Sequence, residues 1–183
     1  MAALSQRTEV NRLEFRPIES KSTLLAELAR SAAPMLLLGA DAENPSEFYA
    51  VEARSAKGPL LVGLMSSGIT RPVAVYSDDR TRLLVGHDEF VSGIALEKPA
   101  VAFVYDGRHL ARFTDFAQAL ADSVLVVWDI GLVRLGFDGR VAWEYDAGDV
   151  ITSWKLSPDK VLLELHEQSG PSVIDLVTGK PTG

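Results

Sequence analysis

Three histidines, His87, His109 and His166, carry the chemistry this 183-residue sequence could most readily do near neutral pH. His87 stands in GHDEF, residues 86–90, beside Asp88 and Glu89. An imidazole next to carboxylates is the best local cluster for a metal or a general base. The histidines share no HxH or HxxxH spacing, whereas metal sites need three or four convergent ligands. Adjacent strand residues also point to opposite faces. GHDEF is therefore read first as a polar hairpin turn, with His87 and Asp88 kept as candidate ligands.

Other reactive patterns are incomplete. LMSSGIT, residues 64–70, places Ser66 and Ser67 before Gly68 but lacks the G-x-S-x-G elbow, so it reads as a flexible turn. GPLLVG, residues 58–63, lacks the GK[ST] ending of a phosphate loop, and TGKPTG at 178–183 has no helix after it. Asp78-Asp79-Arg80 reads as a turn, and no calcium-loop pattern occurs. The chain has no Cys, which excludes thiolate nucleophiles, disulfides and Cys-based metal sites. No catalytic residue and no cofactor is assigned. The enzymatic alternative is a small hydrolase or carbohydrate-active enzyme using Asp or Glu with His87.

Three tryptophans, Trp128, Trp143 and Trp154, fall in the C-terminal third. Trp128 sits in VLVVWD, apolar on both faces, and reads as core. Trp143 and Trp154 are the candidate binding residues, as stacking platforms for a sugar or a partner's side chain. Trp154 aligns with Thr152 and Leu156 and is expected to reach the surface.

Composition sets the background. A hydrophobic content of 47% suits a chain that buries a core, and 23% charge without a long single-sign block argues against disorder. A net charge of −7 disfavours nucleic acid. MAALSQRTEVNRLEF has no apolar secretory core, and the apolar runs fall far short of the roughly twenty residues a membrane helix needs. These features, with the missing Cys, predict a soluble cytoplasmic protein.

The elements that must position these residues are mainly strands. Residues 12–16 alternate as a short strand that Pro17 stops. Ser20 caps a helix with Leu24, Leu25 and Leu28 on one stripe, ended by Pro34. PMLLLGA follows as a buried strand. From residue 47, about a dozen short Val-, Leu- and aromatic-rich strands are separated by Gly, Pro and Asp. DFAQALAD, residues 115–122, is expected to be a second short helix. The chain is thus a single domain over 1–183, a βαβ-like lead-in over 1–46 and a β-rich body over 47–183. It is an antiparallel meander: a small or incomplete propeller-like stack, alternatively a sandwich or barrel.

FDGRVAWEY, residues 137–145, is a hairpin signal. Matching Val133, Leu135 and Phe137 to Val141, Trp143 and Tyr145 on one face requires a three-residue loop with Gly139 left-handed. Arg134 and Glu144 would then pair across the other face. VYDGRHLARF, residues 104–113, obeys the same parity and predicts a second hairpin. In the last third, SPDKVLLELH followed by SVIDLVTGKP carries Asp175, Thr178, Gly179 and Lys180, a D-x-x-T-G-K turn, and Gly139 to Gly179 spans 40 residues. On these residues, 124–181 resembles blades of quinoprotein-like or WD-type β-propellers, whose period is about 40–45 residues in the WD type. The length admits at most about four such blades, so the quinone cofactor of larger propellers is not carried over. The resemblance implies an interaction surface. The expected function is a non-catalytic binding or protein-interaction module, with a protein partner or self-association through exposed strand edges.

Overall fold

The computed structural model describes residues 12–182 except 41, 43, 121 and 169. The stretch read as lacking a secretory signal lies, up to residue 11, outside the described residues. Among the described residues no helix is long and apolar enough to cross a membrane.

Four antiparallel-rich sheets stack face to face, with one helix on the outside of the first. Strand β1 (Arg12–Glu14) and β2 (Arg16–Ile18) flank the buried Phe15 and enter different sheets. The expected single strand is thus a crossing between two sheets. Pro17 does not end it, because β2 lies at a sheet edge, where a missing N–H is tolerated. Helix α1 (Lys21–Arg30) starts where Ser20 Oγ accepts from Thr23 N at 3.2 Å. It ends at Ser31, three residues before Pro34, and buries Leu24 and Leu28 while Leu25 stays exposed.

Strands β3 (Met35–Leu38), β4 (Glu47–Ser55) and β5 (Gly58–Ser66) complete the first sheet in the order β2-β4-β5-β3, with β3 parallel to β5. This sheet joins strands from both sides of residue 46. The second sheet is a meander of β6 (Val73–Tyr76), β7 (Arg82–His87), β8 (Phe90–Ala95) and β9 (Ala100–Asp106), with β1 added along β6. The third is β10 (Phe113–Ala119), β11 (Ser123–Trp128), β12 (Gly131–Gly136) and β13 (Val141–Asp146). The fourth is β14 (Ile151–Leu156), β15 (Lys160–Leu165) and β16 (Ser172–Asp175), where Pro181 bridges Ile174. This is a mainly β, propeller-like stack of sheets whose edges are open among the described residues.

Burial on both faces explains the sequence pattern. In β6, Val73 and Val75 face the third sheet while Ala74 and Tyr76 face the first. In β11, Val124, Val126 and Trp128 face the second sheet while Leu125 and Val127 face the fourth. A strand covered on both sides has no polar alternation, so SVLVVW reads as one apolar run. Each such fully buried side chain contributes about 1.5–3 kcal/mol over exposure. The outward face of the fourth sheet differs. There Lys155 pairs with Leu162, Leu162 pairs in turn with Val173, and Ser153 pairs with Glu164.

Residues 115–119 of the stretch expected as a helix, 115–122, are strand. They belong to β10, whose register with β11 shifts twice, between Phe113 and Asp115 and between Phe116 and Gln118. These bulges put Phe113 and Phe116, three residues apart, into one core. A bulged strand thereby imitates the spacing of a helix. The only other helical turn among the described residues is a 3-10 turn at Arg108–Leu110.

The two DGR copies do different work. At 138–140 the hairpin forms: Gly136 N donates to Arg140 O at 2.8 Å, and Gly139 has φ +90°. Ala142 is then left out of register, so Leu135 pairs with Val141 but Arg134 with Trp143. That bulge turns Trp143 and Tyr145 toward the fourth sheet while Val133, Leu135 and Phe137 face the second. The expected Arg134–Glu144 pair is therefore not made: Arg134 Nε donates to Ser123 Oγ, and Glu144 turns to Tyr105 and His109. At 106–108 there is no hairpin. Gly107 leads from the second sheet into the third, buried beneath the Trp128 ring, with no space for a Cβ.

Candidate functional site

The hairpin between β7 and β8 places His87 and Asp88 in the interior. Asp88 has φ +48°, a left-handed turn position that Asp tolerates better than most residues. The reversal swings its carboxylate back toward the imidazole, with His87 Nδ1 at 3.5 Å from Asp88 Oδ2. Ser92, across the β7–β8 pair, brings its Oγ to 3.5 Å from His87 Nε2. Ser66 Oγ and Ser67 Oγ donate to Asp88 Oδ1 at 2.8 and 2.7 Å, and Ser67 N donates to Oδ2 at 3.2 Å. Asp88 N donates to Thr70 Oγ1 at 3.0 Å.

LMSSGIT is thus no free turn: its serines hold a buried carboxylate of the next sheet. A loop rich in Ser and Thr, about twenty residues before a lone buried Asp, was the available signal. Burial pushes the Asp88 carboxyl up, but hydrogen bonds from His87, Ser67 and Ser66 outweigh it and hold the group at about 2. Asp88 stays ionised at neutral pH.

The atom order Ser92 Oγ–His87–Asp88 is that of a nucleophile, a base and an orienting acid. Access is what this arrangement lacks. Ser92 is 3% exposed, Ser66 0% and His87 5%, and none of the described clefts is lined by them. Both oxygens of Asp88 are engaged by the first sheet, while its carbonyl accepts from Phe113 N of the third at 2.7 Å. The cluster ties three sheets together.

A cleft of about 760 Å³ lies between the Ser77–Arg82 turn and the β12–β13 turn. Its Asp79 accepts from Ser77 Oγ, Thr81 N and Thr81 Oγ1, and these bonds hold its carboxyl below the usual range. Asp138 accepts from Arg140 N. These carboxylates build turns. Among the described residues, no three or more His, Asp or Glu side chains group to hold a metal ion, so His87 and Asp88 gain no third ligand of that kind.

The tryptophans take three different places. Trp128 is fully buried against Tyr105 and Phe113. Trp143, on β13, donates Nε1–H to Leu176 O at 3.1 Å and lays its ring over Gly179. Trp154 pairs with Leu163 and packs, partly exposed, on the core between the third and fourth sheets.

A repeat is visible once the sheets are superposed in sequence. Val101-Ala102-Phe103-Val104-Tyr105-Asp106 and Val141-Ala142-Trp143-Glu144-Tyr145-Asp146 stand 40 residues apart, each with its Ala skipped in the register. Asp88 and Asp129 occupy matching hairpins. Phe113 N donates to Asp88 O, and Ile151 N donates to Asp129 O, both at 2.7 Å. Gly107 N on Glu89 O is matched by Ala147 N on Ile130 O. The fold thus defines a protein of repeated, blade-like antiparallel sheets joined by backbone ties.

No family model matches the sequence, and no curated protein is similar to it at the level of sequence. Three solved structures are similar in fold. One is Hsv2 from Kluyvelomyces marxianus, at 11% identity over 60% of this chain and 36% of that one, with a TM-score of 0.36. Another is BamB from Moraxella catarrhalis, at 14% identity over 76% and 51%, TM-score 0.42. The third is the dihydro-heme d1 dehydrogenase NirN in complex with DHE, at 14% identity over 98% and 49%, TM-score 0.49. All three are β-propeller proteins. This chain spans about half the length of the last two and about a third of the first. At these scores the blade-like description rests on the chain's own stacked meanders and their 40-residue repeat.

Proposed function

We propose that the chain is a non-catalytic protein-interaction module, acting in the cytoplasm as a single domain, with a protein partner or a second copy as its ligand. One observation carries the reading: the outer strand β9 presents Val101 and Val104, 42% and 56% exposed, and among the described residues no strand pairs with its outer side. Val141 on β13 adds a third exposed apolar side chain. Such edges invite a partner. Trp154 is proposed as a further contact, with Trp143 holding the adjoining turn. The net charge of −7 supports a protein ligand over nucleic acid. A tagged pull-down analysed by native mass spectrometry tests the proposal. A stoichiometric protein partner or a discrete homo-oligomer supports it, and a monomer carrying a small molecule overturns it.

The hydrolase reading has its own observation, the Ser92–His87–Asp88 order of atoms. It predicts that the chain cleaves an activated ester and that Ser92→Ala abolishes turnover while leaving the melting temperature within a few degrees. No turnover, or turnover unchanged in Ser92→Ala, removes it.

A further inference from the structure

We propose that His109, Glu144 and Tyr105 form a pH-sensitive latch across the outer rim between the second and third sheets. His109 lies in the 3-10 turn that carries the chain between these sheets, and its Nε2 is 2.7 Å from Glu144 Oε1. Tyr105, at the end of β9, donates its hydroxyl to the other oxygen, Oε2, at 2.7 Å. One carboxylate on β13 therefore holds two groups of the preceding sheet and its exit turn.

Among the other side-chain ties between sheets described above, His87 is the one imidazole, and it is buried where His109 is exposed. Asp88 stays ionised down to about pH 2. Arg12 on β1 meets Asp115 on β10 as an arginine–carboxylate pair, and Trp143 meets a backbone carbonyl. At the junction of the first and second sheets, the positions 40 residues before His109 and Glu144 are Ile69 and Val104, which do not titrate. Histidine is the side chain whose ordinary charge change falls between about pH 5 and 8.

Two carboxylates and one guanidinium surround His109. Glu144 faces it from β13. Asp106 is close on its own side and feels the imidazole charge, although Arg108 pairs with Asp106 and in turn feels Glu89 of the β7–β8 hairpin. Protonated His109 adds a charge-assisted bond to Glu144. As pH rises and the imidazole becomes neutral, that attraction is lost and Glu144 keeps the Tyr105 hydroxyl. The rim between β9 and β13 then opens more often. The latch stands or falls independently of any partner.

Amide hydrogen exchange of β9 and β13, corrected for intrinsic rates, is the test. In the native chain, protection on these two strands should fall about threefold from pH 6 to pH 8, while β11 amides do not change. His109→Gln, which keeps a donor but cannot charge, should show no such fall, and Glu144→Gln should abolish it likewise. A carbon-13 signal from the Glu144 carboxyl should follow the His109 titration in the native chain, a readout that needs no variant to fold. Flat protection in the native chain, the same fall in His109→Gln, or a Glu144 signal indifferent to His109 overturns the proposal.

Discussion

The ring of Phe103 lies against Gly139 so closely that a methyl group there would stand 2.7 Å from Phe103 Cγ. Forty residues on, the ring of Trp143 covers Gly179 in the same way, at 2.5 Å from Cδ2. In each case an aromatic side chain of one sheet's outer strand closes on the hairpin glycine of the next sheet. The same glycines have φ of +90° and +68°, so the turn and the contact both require them.

Replacing Gly139 or Gly179 by Ala should therefore destabilise the protein by about 2–4 kcal/mol, adding backbone strain to overpacking. Gly148→Ala is the control. It has φ +67° but open space around it, so strain alone should cost about 1 kcal/mol. Urea denaturation of the three variants measures this. Equal losses would mean the ring contacts contribute nothing.

Asp88→Ala should cost about 1–3 kcal/mol, because it leaves the buried Ser66 hydroxyl, and the exposed Ser67 hydroxyl beside it, without their acceptor. The pH dependence has a definite sign. The folded-state value, about 2, lies below the unfolded value of 3.8, so the stabilisation is complete above about pH 4 and disappears as pH falls toward 2. It amounts to roughly 2 kcal/mol. Asp88→Asn should lack that segment of the acid-stability curve in pH-resolved thermal melts.

Trp143→Phe keeps a ring over Gly179 but removes the donor to Leu176 O, and should cost about 1 kcal/mol by chemical denaturation. Trp154→Ala tests the proposed contact: partner affinity should fall at least tenfold with the melting temperature nearly unchanged. A stability loss above about 2 kcal/mol would instead assign Trp154 to the core between the third and fourth sheets.

Val104→Lys places a charge on the open rim of β9. Folding stability should stay within about 0.5 kcal/mol, since the position is exposed. Co-purification of a partner, or the homo-oligomer seen by native mass spectrometry, should be lost. Retention of either would move the interaction surface away from β9.

Much of the architecture was local and therefore legible. The Ser20 cap, the strands rich in Val and Leu, the Gly139 hairpin and the Asp175–Lys180 turn each depend on residues a few positions apart. Asp175 Oδ1, for instance, accepts from Val177 N, Thr178 N and Thr178 Oγ1, all within its own turn. The burial of Trp128 followed from the apolar run around it.

Tertiary structure decided what the faces mean. Sheets buried on both sides remove the alternation that would have assigned Trp143 and Leu135 to opposite faces, and single skipped residues, Ala102 and Ala142, reset the parity. Bulges in β10 gave a strand the spacing of a helix. Ser66 and Ser67 meet Asp88 only because two sheets stack, and Glu144 meets His109 only because the chain crosses between two others. Local chemistry fixes turns and strand content by neighbouring residues. Which side chains meet across sheets depends on register and stacking, which no short window of sequence contains.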